Sequence, residues 1–402
     1  MCIRISGISL PSVPSAAVSA CSRDVPSPER AVPSLVFVAG VLLMALPSFL
    51  PPGSCWPCGL SLIVALWGGF VIGIKCPRDW LLGGASSPRE VHTGSMLNPV
   101  AWWRQQLRGT FSNNSPTVPQ WELDLEMGDD AGYFGPDSAA WAVHGSMTTL
   151  VAGIQALLIQ ALHPGALAGV HDHSNYRTDP LGRLAGTIQW IFTVTYGDTV
   201  AAIKASARVQ RLHGYVRGNY TTNAGEQRPY TANDPDLLRW IHLAFTQAFL
   251  ATHQAYGGAI PGGPDAYVAD WAVAGALMQV KDPPTTVREL QTQLATFNGE
   301  LRCDERAAEA IAFIRHPPLP RSQRAGYRIL FAAAVAALPP LYRELMDLHV
   351  PGLGPVPLPV KIPTQVVFAV VRASLESPGP SETAARARRT RLGVQDAPRK
   401  RR

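Results

Sequence analysis

Four acidic residues divide the middle of this chain into segments that can each begin as a helix. Asp137-Ser138, Asp179-Pro180, Asp198 and Asp234-Pro235 each stand just ahead of a run rich in apolar residues. A short oxygen-bearing side chain in that place accepts a hydrogen bond from the free N–H groups of the first turn, and proline there lacks only an N–H that the turn leaves unbonded. Asp137-Ser138 predicts a long apolar helix ending near His163-Pro164, Asp179-Pro180 one ending at Gly197, and Asp198 one stopping at Gly218. Asp234-Pro235 opens a fourth over 237–255, with Trp240, Phe245 and Phe249 at helical spacing. Further helical patterns run over 267–280, 287–297, 305–314 and 327–338. No stretch alternates with period two for long, so the sequence predicts an all-α, multi-helix globular domain over residues 96–375 in which no sheet is needed.

With 402 residues, 47% of them hydrophobic and only 16% charged, the chain can bury a sizeable core. The net charge of +6 is not the footprint of a nucleic-acid binder. From Arg386 onward eight positive side chains face one negative one, Asp396, which leaves about −1 for everything before. Residues 376–402 are rich in Ser, Pro, Ala and Arg and are expected to form a disordered basic tail, because they lack the large apolar side chains that would bury surface. Five of the six cysteines fall before residue 77 and Cys303 stands alone, so the main domain is no disulfide scaffold. Cys55-Trp56-Pro57-Cys58 has redox-motif spacing but follows Pro51, Pro52 and Gly53 rather than a strand, and is read as a loop.

That loop separates two apolar runs, 35–50 and 59–74, within a stretch free of charge from 31 to 74. Each run is near the lower length limit for a membrane helix, roughly 17 residues. Arg23 and Arg30 before them and Lys75 and Arg78 after them suit a transmembrane hairpin with both ends cytoplasmic. Met96 offers a second start. Residues 1–95 are therefore read either as a leader with a two-helix membrane hairpin or as a misassigned start, which places the domain that follows on a membrane facing the cytoplasm, or free in the cytoplasm.

Several polar residues stand out on the predicted helices. Arg183 and Thr187 are four apart, so both project from one face and can reach one site. Val209, His213 and Val216 share a face by the same rule, which sets an imidazole on an apolar stripe, as a core histidine or as a ligand. His242, with Thr246 and Phe249 one and two turns on, is its rival. His171 and His173 are only two apart and cannot face one metal from a helix, so they are read as a polar turn or pocket edge. His163 is expected to end its helix, since the following proline disfavours helical geometry there.

A set of motifs in order adds a different kind of information. They are Phe134-Gly135-Pro136-Asp137-Ser138-Ala139-Ala140-Trp141, then Gln155 to Pro164, Gly169-Val170-His171-Asp172-His173-Ser174, and Asp179 to Thr187. Tyr196-Gly197-Asp198, Val209 to Gly218 and Leu237-Leu238-Arg239-Trp240-Ile241-His242 complete the series. Together they resemble the MpaB/rubber-oxygenase (latex-clearing protein) catalytic domain family over about half the chain. The resemblance implies helices enclosing one haem b, with His213 in the place of the proximal iron ligand and Arg183 and Thr187 on the pocket wall. Two positions depart from the pattern. Gln210 stands where an arginine is usual, and Gly186 stands where rubber oxygenases can carry a lysine ligand to the opposite face of the iron. Glycine cannot coordinate, which argues against polyisoprene as the substrate. The implied activity is oxygenation with O2 of an apolar, alkene-containing or lipid-like substrate. Arg183 would stabilise developing negative charge or pair with a haem propionate, and Thr187 would donate a hydrogen bond on the open side of the iron. The alternative is a membrane-tethered helical lipid-binding or scaffold protein without catalysis, with His213 simply buried.

Overall fold

The computed structural model describes residues 118–353, 356–375 and 378–394, and the expectations for residues 1–95 lie outside them. The described chain is mostly helical, as expected. A short α1 (Gln120–Leu123) and a 3-10 turn lead to α2 (Ala139–His144), α3 (Thr149–Gln160) and α4 (Pro164–His173). The predicted single helix from Ser138 to His163 is thus two pieces, with α4 starting beyond it. Ser138 does cap its start, accepting from Trp141 N, but the chain breaks after His144. His163 starts a helix as well as ending one. Its Nδ1 accepts from Gly165 N and Ala166 N at the head of α4.

The next two caps form as the sequence predicts. Asp179 Oδ1 accepts from Gly182 N at the start of α5 (Pro180–Tyr196), and Asp198 Oδ1 from Ala201 N at the start of α6 (Thr199–His213). The segment after Asp198 stops at His213 rather than Gly218, and here the expectation of no sheet fails locally. β1 (Arg217–Thr221) and β2 (Gln227–Thr231) form an antiparallel ribbon that turns at Gly225, whose φ of +84° suits glycine. Only Tyr220 and Tyr230 are buried in it, so its apolar pattern is too short to register as alternation. Asp234 precedes α7 (Pro235–Tyr256) but turns back to accept from Thr231 N, tying ribbon to helix.

α7 is the axis of the core. Trp240, Leu243, Ala244 and Ala248 on it are fully enclosed, α3 packs along it most extensively, and α11 (Arg321–Ala337) packs against both, with Tyr256 Oη of α7 donating to Ala333 O at 2.9 Å. Between these lie α8 (Gly263–Leu277), α9 (Val287–Ala295) and α10 (Glu305–Arg315). After α11 come α12 (Pro340–Leu345), a two-residue ribbon β3 (Gly352–Leu353) and β4 (Val356–Pro357), then α13 (Lys361–Ser374) and α14 (Pro380–Arg391). Among the described residues no single helix is long and apolar enough to cross a membrane. α3 and α4 together have the length and composition, but they meet at 106°.

α14 corrects the expectation of a disordered tail from residue 376. Its arginines do not need an apolar core, because backbone carbonyls receive them. Arg388 is fully buried and donates to Leu125 O and to Tyr196 O, and Arg391 donates to Gly128 O at 2.6 Å. Ser381 donates to Glu122, and Arg386 bonds Glu382 beneath the Trp141 ring. These partners lie far away in sequence, where local composition carries no trace of them.

Candidate active site

α5 and α6 form an antiparallel helical hairpin that bends at Gly197-Asp198. Its register is fixed by one side-chain bond, from Trp190 Nε1 to Ser206 Oγ at 3.1 Å. Stepping outward from that pair by equal numbers of residues sets Thr187 level with Val209 and Arg183 level with His213. The three residues predicted to form a site therefore occupy one end of one hairpin.

His213 closes α6 and lies on the inward side of the helix with Ala202, Ser206 and Val209, while Lys204, Arg208 and Leu212 are exposed on the other. Burial lowers its pKa, and the neighbouring Asn233 side chain acts in the opposite direction. His213 Nδ1 is buried without a hydrogen bond, and so is Asn233 Oδ1. Asn233 Nδ2 meanwhile donates to Gln210 O at 3.0 Å, and Gln210 Nε2 donates to Leu277 O at 2.8 Å. Gln210, the residue that departs from the motif, thus anchors the end of α6 to α8.

Arg183 is half-buried near the start of α5. Burial holds its pKa below the ordinary guanidinium range, Tyr176 acts the other way, and no carboxylate pairs with it among the described residues. Tyr176 Oη is itself buried without a partner. Thr187 is exposed, and its hydroxyl donates back to Arg183 O at 3.2 Å. Gly186 beside it is exposed too, and a side chain placed there would meet nothing within 4 Å. The hairpin end is open on that side. Two cavities of about 200 and 220 Å³ lie elsewhere, by Tyr220 and Arg302 and by Trp141 and Arg386, and neither is lined by Arg183, Thr187 or His213.

His242 is built differently. Burial pushes its pKa down to about 4, and its ring lies against the backbone of α8, so that a Cβ at Gly275 would fall 2.9 Å from its Cε1 and 3.0 Å from its Nε2. That packing marks a core histidine. His171 bonds Asp172 at 2.9 Å and His173 reaches Arg217 O at 2.9 Å, so the pair diverges, and no metal-binding cluster occurs among the described residues.

Sequence reading missed Asn233 and Tyr176, whose relevance depends on chain segments that meet only in the fold. It also missed the fully buried His144, whose Nδ1 lies 2.8 Å from Thr195 Oγ1 and Nε2 3.1 Å from Tyr267 Oη. Thr195 spends its own proton on Ile191 O, so Nδ1 carries the hydrogen and Nε2 accepts from Tyr267. Burial lowers this ring's pKa to about 3, with a smaller effect from His253.

A mostly helical domain whose helical hairpin carries a half-buried histidine with one unbonded ring nitrogen is the class that fold and site define. The model of the catalytic domain of the ER-bound oxygenase mpaB/B'/rubber oxygenase matches residues 141–373, more than half of the chain, and the protein belongs to this family. Comparison with curated proteins and with solved structures gave no match. The family points to an oxygenase that uses O2 and a second substrate.

Proposed function

We propose that this protein is a haem b-dependent oxygenase acting with O2 on an apolar, alkene-containing or lipid-like substrate, with His213 as the iron ligand. The observation that carries the reading is His213 at the end of α6, half-buried with its Nδ1 enclosed and unbonded, on the same hairpin as the desolvated Arg183 guanidinium. Three features of the hairpin suit the cofactor. A neutral imidazole is the form that binds iron, and burial favours it in His213. Arg183 is a cation without a carboxylate, ready for a propionate or for negative charge that develops during reaction. Gly186 leaves open space beside Thr187.

When bound, the haem would supply the iron at which O2 reacts. The chain supplies position. A ligating histidine is oriented through its second ring nitrogen. Pairing of His213 Nδ1–H with Asn233 Oδ1 would satisfy both orphaned atoms and leave Nε2 for the metal. Thr187, once released from Arg183 O, is the hydroxyl donor on the open side.

The test is the visible spectrum of the purified full chain, together with its haem content by pyridine haemochrome assay after reconstitution. An intense Soret band with about one haem per chain is expected. Protein that stays colourless after reconstitution while folded by circular dichroism rejects the reading and favours an apolar-ligand binding protein instead.

A further inference from the structure

We propose that the β3–β4 ribbon and the outward strip of α13 form a docking surface for the headgroup region of an anionic lipid bilayer. The inference does not depend on haem and concerns a part of the molecule outside the α5–α6 hairpin.

The described chain exposes its large apolar side chains unevenly, and one group is contiguous in sequence. Val356 is 63% exposed and Ile362 69%, with Leu358 and Val366 also exposed between and beyond them. Ile362, Val366 and Ala369 follow helical spacing on the solvent side of α13, while Thr364, Phe368 and Val371 on the other side are buried in the domain. A helix with one apolar edge in the protein and a second one in solvent has an unpartnered face.

Charge identifies the partner. Between Asp347 and Glu376 the chain has no acidic residue, and α13 carries exposed Lys361 and Arg372 beside its apolar strip. α11 packs against α13 and likewise contains no Asp or Glu, while its Arg321, Arg324 and Arg328 are all exposed and lie on one face by their spacing. Lys361 and Arg372 beside an apolar strip, in a stretch of chain without acidic side chains, suit a surface that is negative outside and apolar beneath, which is an anionic bilayer. A second copy of the chain would bring Lys361 and Arg372 against like charges with no acidic side chain on the face to offset them, so self-association through it is disfavoured.

The backbone is suited to that setting as well. The chief cost of sinking an irregular segment into an interface is the desolvation of unbonded N–H groups. In the described stretch 356–360, Val-Pro-Leu-Pro-Val, Pro357 and Pro359 have no N–H at all. Leu358 N is already bonded to Pro351 O at 2.8 Å.

The test is hydrogen exchange on the full chain, alone and with vesicles of phosphatidylcholine or of phosphatidylcholine with phosphatidylglycerol. Peptides covering 351–366 should exchange several-fold more slowly on anionic vesicles, and the protection should fall as salt is raised. The double variant Val356→Asp, Ile362→Asp changes only exposed side chains and should abolish the protection while circular dichroism is unchanged. The local readout separates this surface from any other means by which the chain binds membranes. Unchanged exchange of these peptides in vesicle-bound protein, or equal protection on purely neutral vesicles, overturns the proposal. Protection that is present without lipid and grows with protein concentration overturns it too, by assigning the face to a second copy.

Discussion

Trp190 and Ser206 are joined across the α5–α6 hairpin by a 3.1 Å hydrogen bond, and the level of Arg183 relative to His213 follows from that single contact. His213 is half-buried at the end of α6, whereas its rival His242 is buried and pressed against Gly275. His213→Ala should therefore remove haem or weaken its binding severely, while His242→Ala should do so much less. Haem content per folded chain by pyridine haemochrome assay makes the comparison. Wild-type content in His213→Ala together with loss in His242→Ala would reverse the assignment.

Arg183→Ala and Thr187→Ala should be milder than His213→Ala. Neither side chain is placed to hold the metal, and Gly186 supplies no second ligand whose loss they could mimic. Each variant is expected to keep its haem but to move the Soret maximum or slow turnover. Loss of haem as complete as in His213→Ala would show that these residues hold the cofactor rather than shape its surroundings.

Gly275→Ala should destabilise the fold, by about 1–3 kcal/mol, because the new methyl must displace the His242 ring or the Pro283 side chain in a packed interior. Urea midpoints measure the loss. Combining it with His242→Ala empties the space that the methyl enters, so the double variant should lose less than the two single losses added together. Strict additivity would mean that the two residues do not meet.

Arg388→Ala should release α14. Two backbone carbonyls, Leu125 O and Tyr196 O, would be left without this donor inside the protein, at a cost of about 1–3 kcal/mol for each buried group left unsatisfied. Limited proteolysis should then cut within 378–394 well before the rest of the domain. Resistance equal to that of the wild type would contradict the view that Arg388 anchors the helix.

Acid should weaken the fold before most carboxylates are protonated. Burial lowers His144 to about 3 and His163 to about 4, so the unfolded chain takes up protons near pH 6.5 that the folded chain refuses. The stability they contribute is complete above pH 6.5 and is lost as pH falls from there toward 4, by roughly 1.4 kcal/mol per pH unit for each ring. His163→Asn keeps a side chain able to cap α4 but removes one titrating group. Its urea midpoint should fall less steeply between pH 6.5 and 4.5, and a slope identical to the wild type would exclude His163 as a contributor.

Helix starts were legible in the sequence where the cap is local. Asp179 and Asp198 accept from N–H groups three residues on, a geometry that needs nothing beyond the segment itself. Asp234 shows the limit, because the same motif serves a different bond once β2 is alongside. The 217–231 ribbon escaped because only one residue of each strand is buried. Placing Arg183 and Thr187 on one face was a matter of spacing. Bringing His213 to their end of the hairpin depended on a bend at Gly197-Asp198 and on a tryptophan that the motifs do not include. Asn233 and Tyr176 became relevant only through neighbours distant in the chain.

Arg388 meets Leu125 across a separation of 263 residues, which places the two ends of the described domain side by side. During synthesis the 120s leave the ribosome well before their partner helix. At roughly 5–20 residues per second the interval is on the order of tens of seconds. Through that time Glu122, Leu125 and the carbonyls at Gly128 and Ala131 have no α14 to close over them. The nascent domain thus stays open along one edge until the arginines of α14 emerge.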